Sequence, residues 1–101
     1  MPVWNNPTTE EESNAIIKMA IETIYDMEDD ELETTCKELA LFAGSFNHNW
    51  TRKHRDQLID ILVNVGSQAI DPVLQVLVDI SRVEQFDVTK TFIRRLVERG
   101  I

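Results

Sequence analysis

Glycine and proline are scarce in this chain of 101 residues, and their scarcity constrains the fold more than any other feature. There are three residues of each type, and two of the prolines lie within the first seven positions. A multi-stranded sheet needs frequent tight turns, which draw on these two residue types. No window shows sustained alternation of apolar and polar residues either. We therefore predict an all-α domain.

Five segments carry apolar residues at helical spacing. The predicted helices are Thr8 or Thr9 to Tyr25, Asp29 or Asp30 to Gly44, Thr51 to Val65, a start within 67–71 to an end at Ser81 or Val83, and Asp87 to Gly100. The short connections imply antiparallel neighbours in a compact bundle of about five helices. Residues 1–7 are predicted to form an N-terminal arm, and residues 8–101 a single helical domain.

Local signals mark several of these helix ends. Thr9 followed by Glu12 has the spacing of a capping box, and the same spacing occurs one residue earlier. Gly44 is expected to end the second helix because glycine can adopt a positive φ. Gly66 is expected to end the third. Pro72 is expected in the first turn of the fourth helix, where its missing N–H costs nothing.

The segment Leu58–Asp79 resembles one helical hairpin of the HEAT type. In that family a helix ends in a small-residue turn and is followed by a characteristic apolar pattern with a proline. The matching residues here are Gly66, Ala69, Ile70, Pro72, Val73, Leu74 and Leu77. The resemblance covers about a fifth of the chain, and no further copy aligns at 29–50 or 87–101. It implies a scaffold that binds other macromolecules.

The formal net charge of −8 is unevenly distributed along the chain. Residues 1–50 carry eleven acidic and two basic side chains, whereas residues 51–101 carry seven and eight. Because an acidic chain repels phosphate, nucleic acid is disfavoured as a partner. The carboxylates expected to form an exposed, partner-binding face are Asp26, Glu28, Asp29, Asp30, Glu31 and Glu33.

We predict no catalytic residue, no metal site and no cofactor. The stretch 26–33 has no glycine, which the loop of an EF-hand requires at its sixth position. Cys36, His48 and His54 do not have the spacing of a structural zinc site. Cys36 falls on the apolar stripe of the second helix, where a free cysteine is a small hydrophobe. A metal-dependent hydrolase would need carboxylates that converge inside a pocket.

A basic cluster opens the third predicted helix. Arg52, Lys53 and Arg55 lie in its first turn, where the helix dipole disfavours each cation by about 0.3–1 kcal/mol. We expect the compensating charge to come from the acidic segment 26–38. The alternative is an external anion or an acidic partner surface. Trp50 precedes the cluster and is a candidate aromatic anchor in either case.

Four large aromatic side chains fall outside the predicted apolar stripes: Trp4, Phe42, Phe46 and Trp50. We expect the last three to be buried together under the loop 44–49. The alternative is that they remain exposed and mark an interaction surface.

These features lead to two hypotheses for function. The leading one is a small non-enzymatic binding module, an adaptor or regulator, that recognises another protein through the acidic face and the Trp50 region. The alternative is an acidic inhibitor, such as an immunity protein or a phage-type DNA mimic, that blocks a nucleic-acid enzyme. An apolar face left uncovered by the bundle would produce a homodimer.

The compartment is predicted from cysteine content and from the N-terminal sequence. A single cysteine forms no internal disulfide, and the first residues lack the basic and apolar regions of a secretory signal. The most apolar stretch, 73–78, is too short to span a bilayer. We therefore expect a cytoplasmic protein without membrane contact.

Overall fold

The computed structural model of the protein describes residues 6–45, 48–79 and 83–100. These residues form five α-helices and one 3₁₀ turn, and none of them lies in a strand. The elements are α1 (Glu10–Thr23), the 3₁₀ turn (Ile24–Asp26), α2 (Asp29–Ala43), α3 (Arg52–Val65), α4 (Ser67–Asp79) and α5 (Val83–Glu98). The predicted all-α fold of five helices is confirmed.

The start of α1 follows the predicted cap with one change. The Thr9 hydroxyl accepts a hydrogen bond from the backbone N–H of Glu12 at 3.1 Å. The Glu12 carboxylate reaches one residue further back, to the backbone N–H of Thr8 at 2.6 Å and its hydroxyl at 3.0 Å. Because these bonds favour the charged form, they lower the pKa of Glu12. The helix ends at Thr23, before the predicted Tyr25, where the chain tightens into the 3₁₀ turn.

Both ends of α2 differ in detail from the prediction. The capping position is held by Glu28, whose side chain makes no capping bond, so Asp29 and Asp30 are not the cap. Both aspartates lie in the first turn instead, where the helix dipole already favours carboxylates. Gly44 follows the helix as predicted, but its φ is −93° and the expected positive φ is wrong.

The predicted bounds of α3 are confirmed, with Thr51 as the cap. The helix ends at Gly66, whose φ of +89° is a conformation that residues with a side chain rarely adopt. Because α4 begins immediately afterwards at Ser67, Pro72 lies inside the helix and not in its first turn. A proline there leaves the carbonyl of Gln68 without its usual helical hydrogen bond.

The start of α5 was placed too late by the sequence pattern. The helix begins at Val83, so Asp87 lies in its second turn and is not the cap. The backbone carbonyl of Asp87 accepts a hydrogen bond from the Thr91 hydroxyl at 2.9 Å. The residues from Val83 to Asp87 include no glycine or proline, so nothing in the backbone prevents the helix from beginning before Asp87. Of the two predicted ends of the fourth helix, Ser81 lies outside the described residues, and Val83 is wrong because it begins α5.

The central element is α3, which contacts all four other helices. The most extensive contact in the bundle is between α2 and α4, and α4 contacts α3 less. The packing therefore does not single out a HEAT-type hairpin within 58–79. The predicted apolar face of α2 is buried, and so is Phe42 at 6% exposure. None of the described helices combines the length and the apolar character needed to cross a membrane.

The chain before α1 is tied to the loop before α3. The Ser13 hydroxyl donates to the backbone carbonyl of Asn49 at 2.8 Å. The Asn49 side-chain amide donates to the backbone carbonyl of Pro7 at 3.2 Å. Pro7 is buried, although it was assigned to the N-terminal arm. Residues 1–5 of that arm, which include Trp4, lie outside the described residues.

Candidate functional site

The junction of α2 and α3 brings the last turn of one helix against the first turn of the other. Arg55 donates from Nη1 to the carbonyl oxygen of Ala43 at 2.8 Å and from Nε to that of Trp50 at 3.1 Å. Ala43 is the last residue of α2, where the terminal carbonyls carry partial negative charge. Arg55 therefore meets the negative end of the α2 dipole.

Trp50 is enclosed at this junction. Its side chain is 2% exposed, and its ring centroid lies 5.0 Å from that of Phe42. The expected burial of these two residues together is confirmed, whereas Phe46 lies outside the described residues. Trp50 therefore does not present its ring at the surface, contrary to its prediction as an anchor for a partner.

His54 connects α1 to α3 and is 5% exposed. Its Nδ1 accepts from the backbone N–H of Thr51 at 3.1 Å, and its Nε2 donates to Asn14 Oδ1 at 2.6 Å. The Thr51 hydroxyl accepts from the backbone N–H of His54 at 3.3 Å. The pair forms a capping box in which histidine replaces the usual glutamate or glutamine. With both ring nitrogens engaged, His54 has a structural role.

Arg52 and Lys53 are exposed, and in the described parts of the chain their side chains make no hydrogen bond or ion pair. The expected pairing of the basic cluster with the acidic segment 26–38 is therefore wrong. The carboxylates at 26–33 lie at the start of α2, whereas Arg52 and Lys53 follow its end. A helix of 15 residues spans about 21 Å between its first and last residues. This span exceeds the screening length of about 8 Å at physiological ionic strength.

The structure brings the predicted carboxylates together as one acidic patch at the 3₁₀ turn and the start of α2: Asp26, Glu28, Asp29, Asp30, Glu31 and Glu33. All six are exposed. Of these six carboxylates, only that of Glu33 forms an ion pair with another described residue, with Lys37 Nζ at 3.5 Å. An exposed pair one helical turn apart stabilises by about 0.3–0.5 kcal/mol. The patch therefore keeps a strong negative charge.

Tyr25 adds an apolar surface beside the acidic patch, and the sequence prediction missed it. The ring is 53% exposed and immediately precedes Asp26, and Ile21 in α1 is 49% exposed. Ile21 has helical spacing with the other apolar residues of this segment, but the structure buries Ile17, Ala20 and Ile24 and leaves Ile21 exposed.

Burial raises the pKa of two titratable side chains in α2, Cys36 and Glu38. Among the described residues, no group of three histidine, cysteine, aspartate or glutamate side chains is arranged to hold a metal ion. Burial raises the pKa of the Cys36 thiol to about 12. Since the thiolate is the reactive form, Cys36 is not a nucleophile at neutral pH. Glu38, which lies in α2 beyond the acidic patch, is half-buried, and this burial raises its pKa.

Comparison with protein-family models, with curated proteins and with solved structures gives no match. Two exposed groups of charge remain as candidate functional features. The acidic patch, with Tyr25 beside it, lies at the start of α2. Arg52 and Lys53 lie in the first turn of α3.

Proposed function

We propose that this protein is a small non-enzymatic module that binds another protein, as an adaptor or regulator, through the acidic patch. The observation that supports the proposal is the exposure of six carboxylates at one end of α2, with the basic cluster at the other end. Charges that are not neutralised within the molecule attract and orient a partner of opposite sign. The surface of the partner that meets the patch is therefore basic.

Tyr25 supports a specific contact at this place. Exposed ion pairs each contribute only about 0–1 kcal/mol, so carboxylates alone give little affinity. Aromatic side chains, and tyrosine in particular, are enriched among the residues that dominate binding energy. An exposed ring beside the patch supplies the apolar centre that a protein interface needs, with the carboxylates as its polar rim.

The test compares two doubly substituted proteins that lose the same charge. Glu31→Gln with Glu33→Gln removes charge from the acidic patch, and Glu10→Gln with Glu11→Gln removes it from the first turn of α1. We expect the wild type and the α1 variant to capture the same protein from the cells that produce the chain. With the purified partner, the patch variant should bind about tenfold more weakly, as the loss of two charge contacts implies. Full affinity of the patch variant would contradict the proposal.

A second candidate function is an acidic inhibitor that occupies the nucleic-acid groove of an enzyme. The same run of exposed carboxylates supports it, because closely spaced negative charges can substitute for phosphates. It requires that the captured partner be a nucleic-acid enzyme, that DNA or RNA compete for the site, and that affinity fall steeply with salt. A contact centred on Tyr25 is less sensitive to salt and is lost in Tyr25→Ala.

A further inference from the structure

The groove between α3 and α5 is a second surface, separate from the acidic patch. It has a volume of about 400 Å³, which is within the size range of ligand-binding clefts. The lining residues that matter here are Arg52, Arg55, Asp56 and Ile59 from α3, and Asp87 and Val88 from α5.

Two charged side chains in this groove have partners within the described residues, and two do not. Asp56 forms an ion pair with Arg95 at 3.3 Å, and Arg55 binds backbone carbonyls at the α2–α3 junction. Arg52 and Asp87 are exposed, and within the described residues neither side chain makes a hydrogen bond or an ion pair. The groove therefore offers one unpaired cation from α3 and one unpaired anion from α5.

Two of the residues that line the groove, Ile59 and Val88, are aliphatic. Ile59 is 3% exposed and Val88 is 9% exposed, so both are anchored in the core and present only a small aliphatic surface to the groove. A ligand that matches this lining has an apolar group for Ile59 and Val88 and charged groups of opposite sign for Arg52 and Asp87.

Arg52 has a particular need for an anionic partner. It is the first residue of α3, at the positive end of the helix dipole, and the first turn of this helix contains no acidic residue. The carboxylates of the acidic patch, near the other end of α2, do not reach it. A bound carboxylate would remove this unfavourable interaction.

We propose that this groove binds a peptide segment of a partner protein that carries a carboxylate, an aliphatic side chain and a cationic side chain. The carboxylate pairs with Arg52, the aliphatic side chain packs on Ile59 and Val88, and the cation pairs with Asp87. Nucleic acid fits the groove poorly, because Asp87 and the net charge of −8 repel phosphate. The proposal does not depend on the acidic patch and can fail or succeed without it.

The test is a titration of the isotope-labelled full chain with capped pentapeptides, followed by nuclear magnetic resonance. The probes are Gly-Glu-Leu-Lys-Gly, the doubly acidic Gly-Glu-Leu-Glu-Gly, the doubly basic Gly-Lys-Leu-Lys-Gly, and Gly-Glu-Ala-Lys-Gly. We expect the Glu-Leu-Lys peptide to bind most tightly and to shift the amide signals of Ile59 and Val88. Replacement of its leucine by alanine should weaken binding.

Single substitutions should switch the preference between these peptides. Arg52→Ser should shift it to the doubly basic peptide and Asp87→Ser to the doubly acidic one, each by about two- to fivefold in Kd, as for one exposed ion pair. Arg94→Ser and Glu98→Ser, which remove the same charges from exposed α5 positions outside the groove, should leave the preference unchanged. All four side chains are exposed, and circular dichroism confirms that each variant is folded.

Three outcomes would overturn the proposal. The first is that no groove signal shifts at millimolar peptide. The second is that the order of preference is the same in Arg52→Ser and Asp87→Ser as in the wild type. The third is that inorganic phosphate shifts the Arg52 signal as strongly as the Glu-Leu-Lys peptide does, while the Glu-Leu-Lys and Glu-Ala-Lys peptides bind equally tightly. That result would make the groove a simple anion site.

Discussion

Arg55 Nη1 lies 2.8 Å from the carbonyl oxygen of Ala43, so the first turn of α3 donates a hydrogen bond to the last turn of α2. This contact explains a cation where a helix usually has an acid. The guanidinium that is unfavourable at the positive end of α3 lies at the negative end of α2. The arrangement is unfavourable for α3 alone and favourable for the pair of helices.

Substitution of Arg55 by methionine should destabilise the fold by about 1.5–3 kcal/mol, the range for hydrogen bonds that involve a charged group. Methionine keeps much of the aliphatic length and removes both donors. The measurement is urea unfolding followed by circular dichroism. The matched control is Arg52→Met, which removes an exposed cation from the positive end of the α3 dipole and should leave the free energy of unfolding unchanged or raise it by about 0.3–1 kcal/mol. Equal losses of unfolding free energy in the two variants would show that the hydrogen bond from Arg55 to α2 does not stabilise the fold.

The hydrogen bond between His54 and Asn14 should appear as a coupling in a double-mutant cycle. His54→Ala removes the hydrogen-bond partner of the Thr51 backbone N–H and that of Asn14 Oδ1. This loss should lower the free energy of unfolding by about 1–3 kcal/mol. The combined variant with Asn14→Ala should lose less than the sum of the single losses, by about 0.5 kcal/mol or more. Exposed His48 supplies the control, since His48→Ala should be nearly neutral. Strict additivity would show that α1 is held to α3 by other contacts.

Cys36 should be unreactive in the native protein and reactive after unfolding. Burial raises its pKa to about 12 from the ordinary 9.0, so a thiol reagent at pH 8 should label the chain only in denaturant. The raised pKa also makes folding less favourable in alkali. Between pH 9 and 12 the unfolded thiol releases its proton and the folded thiol keeps it, so stability falls as pH rises, by at most about 1.4 kcal/mol per pH unit.

The control for this pH dependence is Cys36→Ala, which lacks the thiol. The difference in the free energy of unfolding between wild type and variant should be constant below pH 9 and should shrink above it. A difference that stays constant to pH 11 would contradict the raised pKa.

Gly66→Ala should destabilise the turn between α3 and α4 by about 1–3 kcal/mol through backbone strain. An added Cβ would meet no atom within 4 Å, so the cost comes from the φ of +89° and not from a clash. Gly100 also has a positive φ, of +74°, but follows the last helix. We therefore expect Gly100→Ala to cost less in thermal unfolding, because frayed ends relax locally. A larger loss at Gly100 would contradict this.

Sequence reasoning succeeded where the signal was local. The Thr51 cap, the apolar spacing of α3 and the terminal Gly66 lie within one short segment, and together they defined that helix. It succeeded for the start of α4 at Ser67 but failed for the position of Pro72 and for the start of α5, because proline and Asp87 are only preferred, and not required, at helix starts. Tertiary packing overrode both preferences.

The carboxylates of the candidate site were predictable, whereas Tyr25 and the geometry of the site were not. The exposure of the acidic patch followed from its composition. The separation of the patch from Arg52 did not, since it depends on where the chain leaves α2 and enters α3. The burial of Trp50 and the capping by His54 likewise arise from contacts between elements. A pattern of single residues does not encode those contacts.

The extensive contact between α2 and α4 has a consequence for the order in which the chain can fold. The two helices are separated in sequence by a loop and all of α3, so their pairing must close that intervening segment. During synthesis the apolar face of α2 lacks its most extensive partner until Asp79 has left the ribosome. The bundle therefore cannot fold by adding one helical hairpin at a time from the N-terminus. Its assembly depends on non-local pairing, which slows folding relative to a purely sequential bundle.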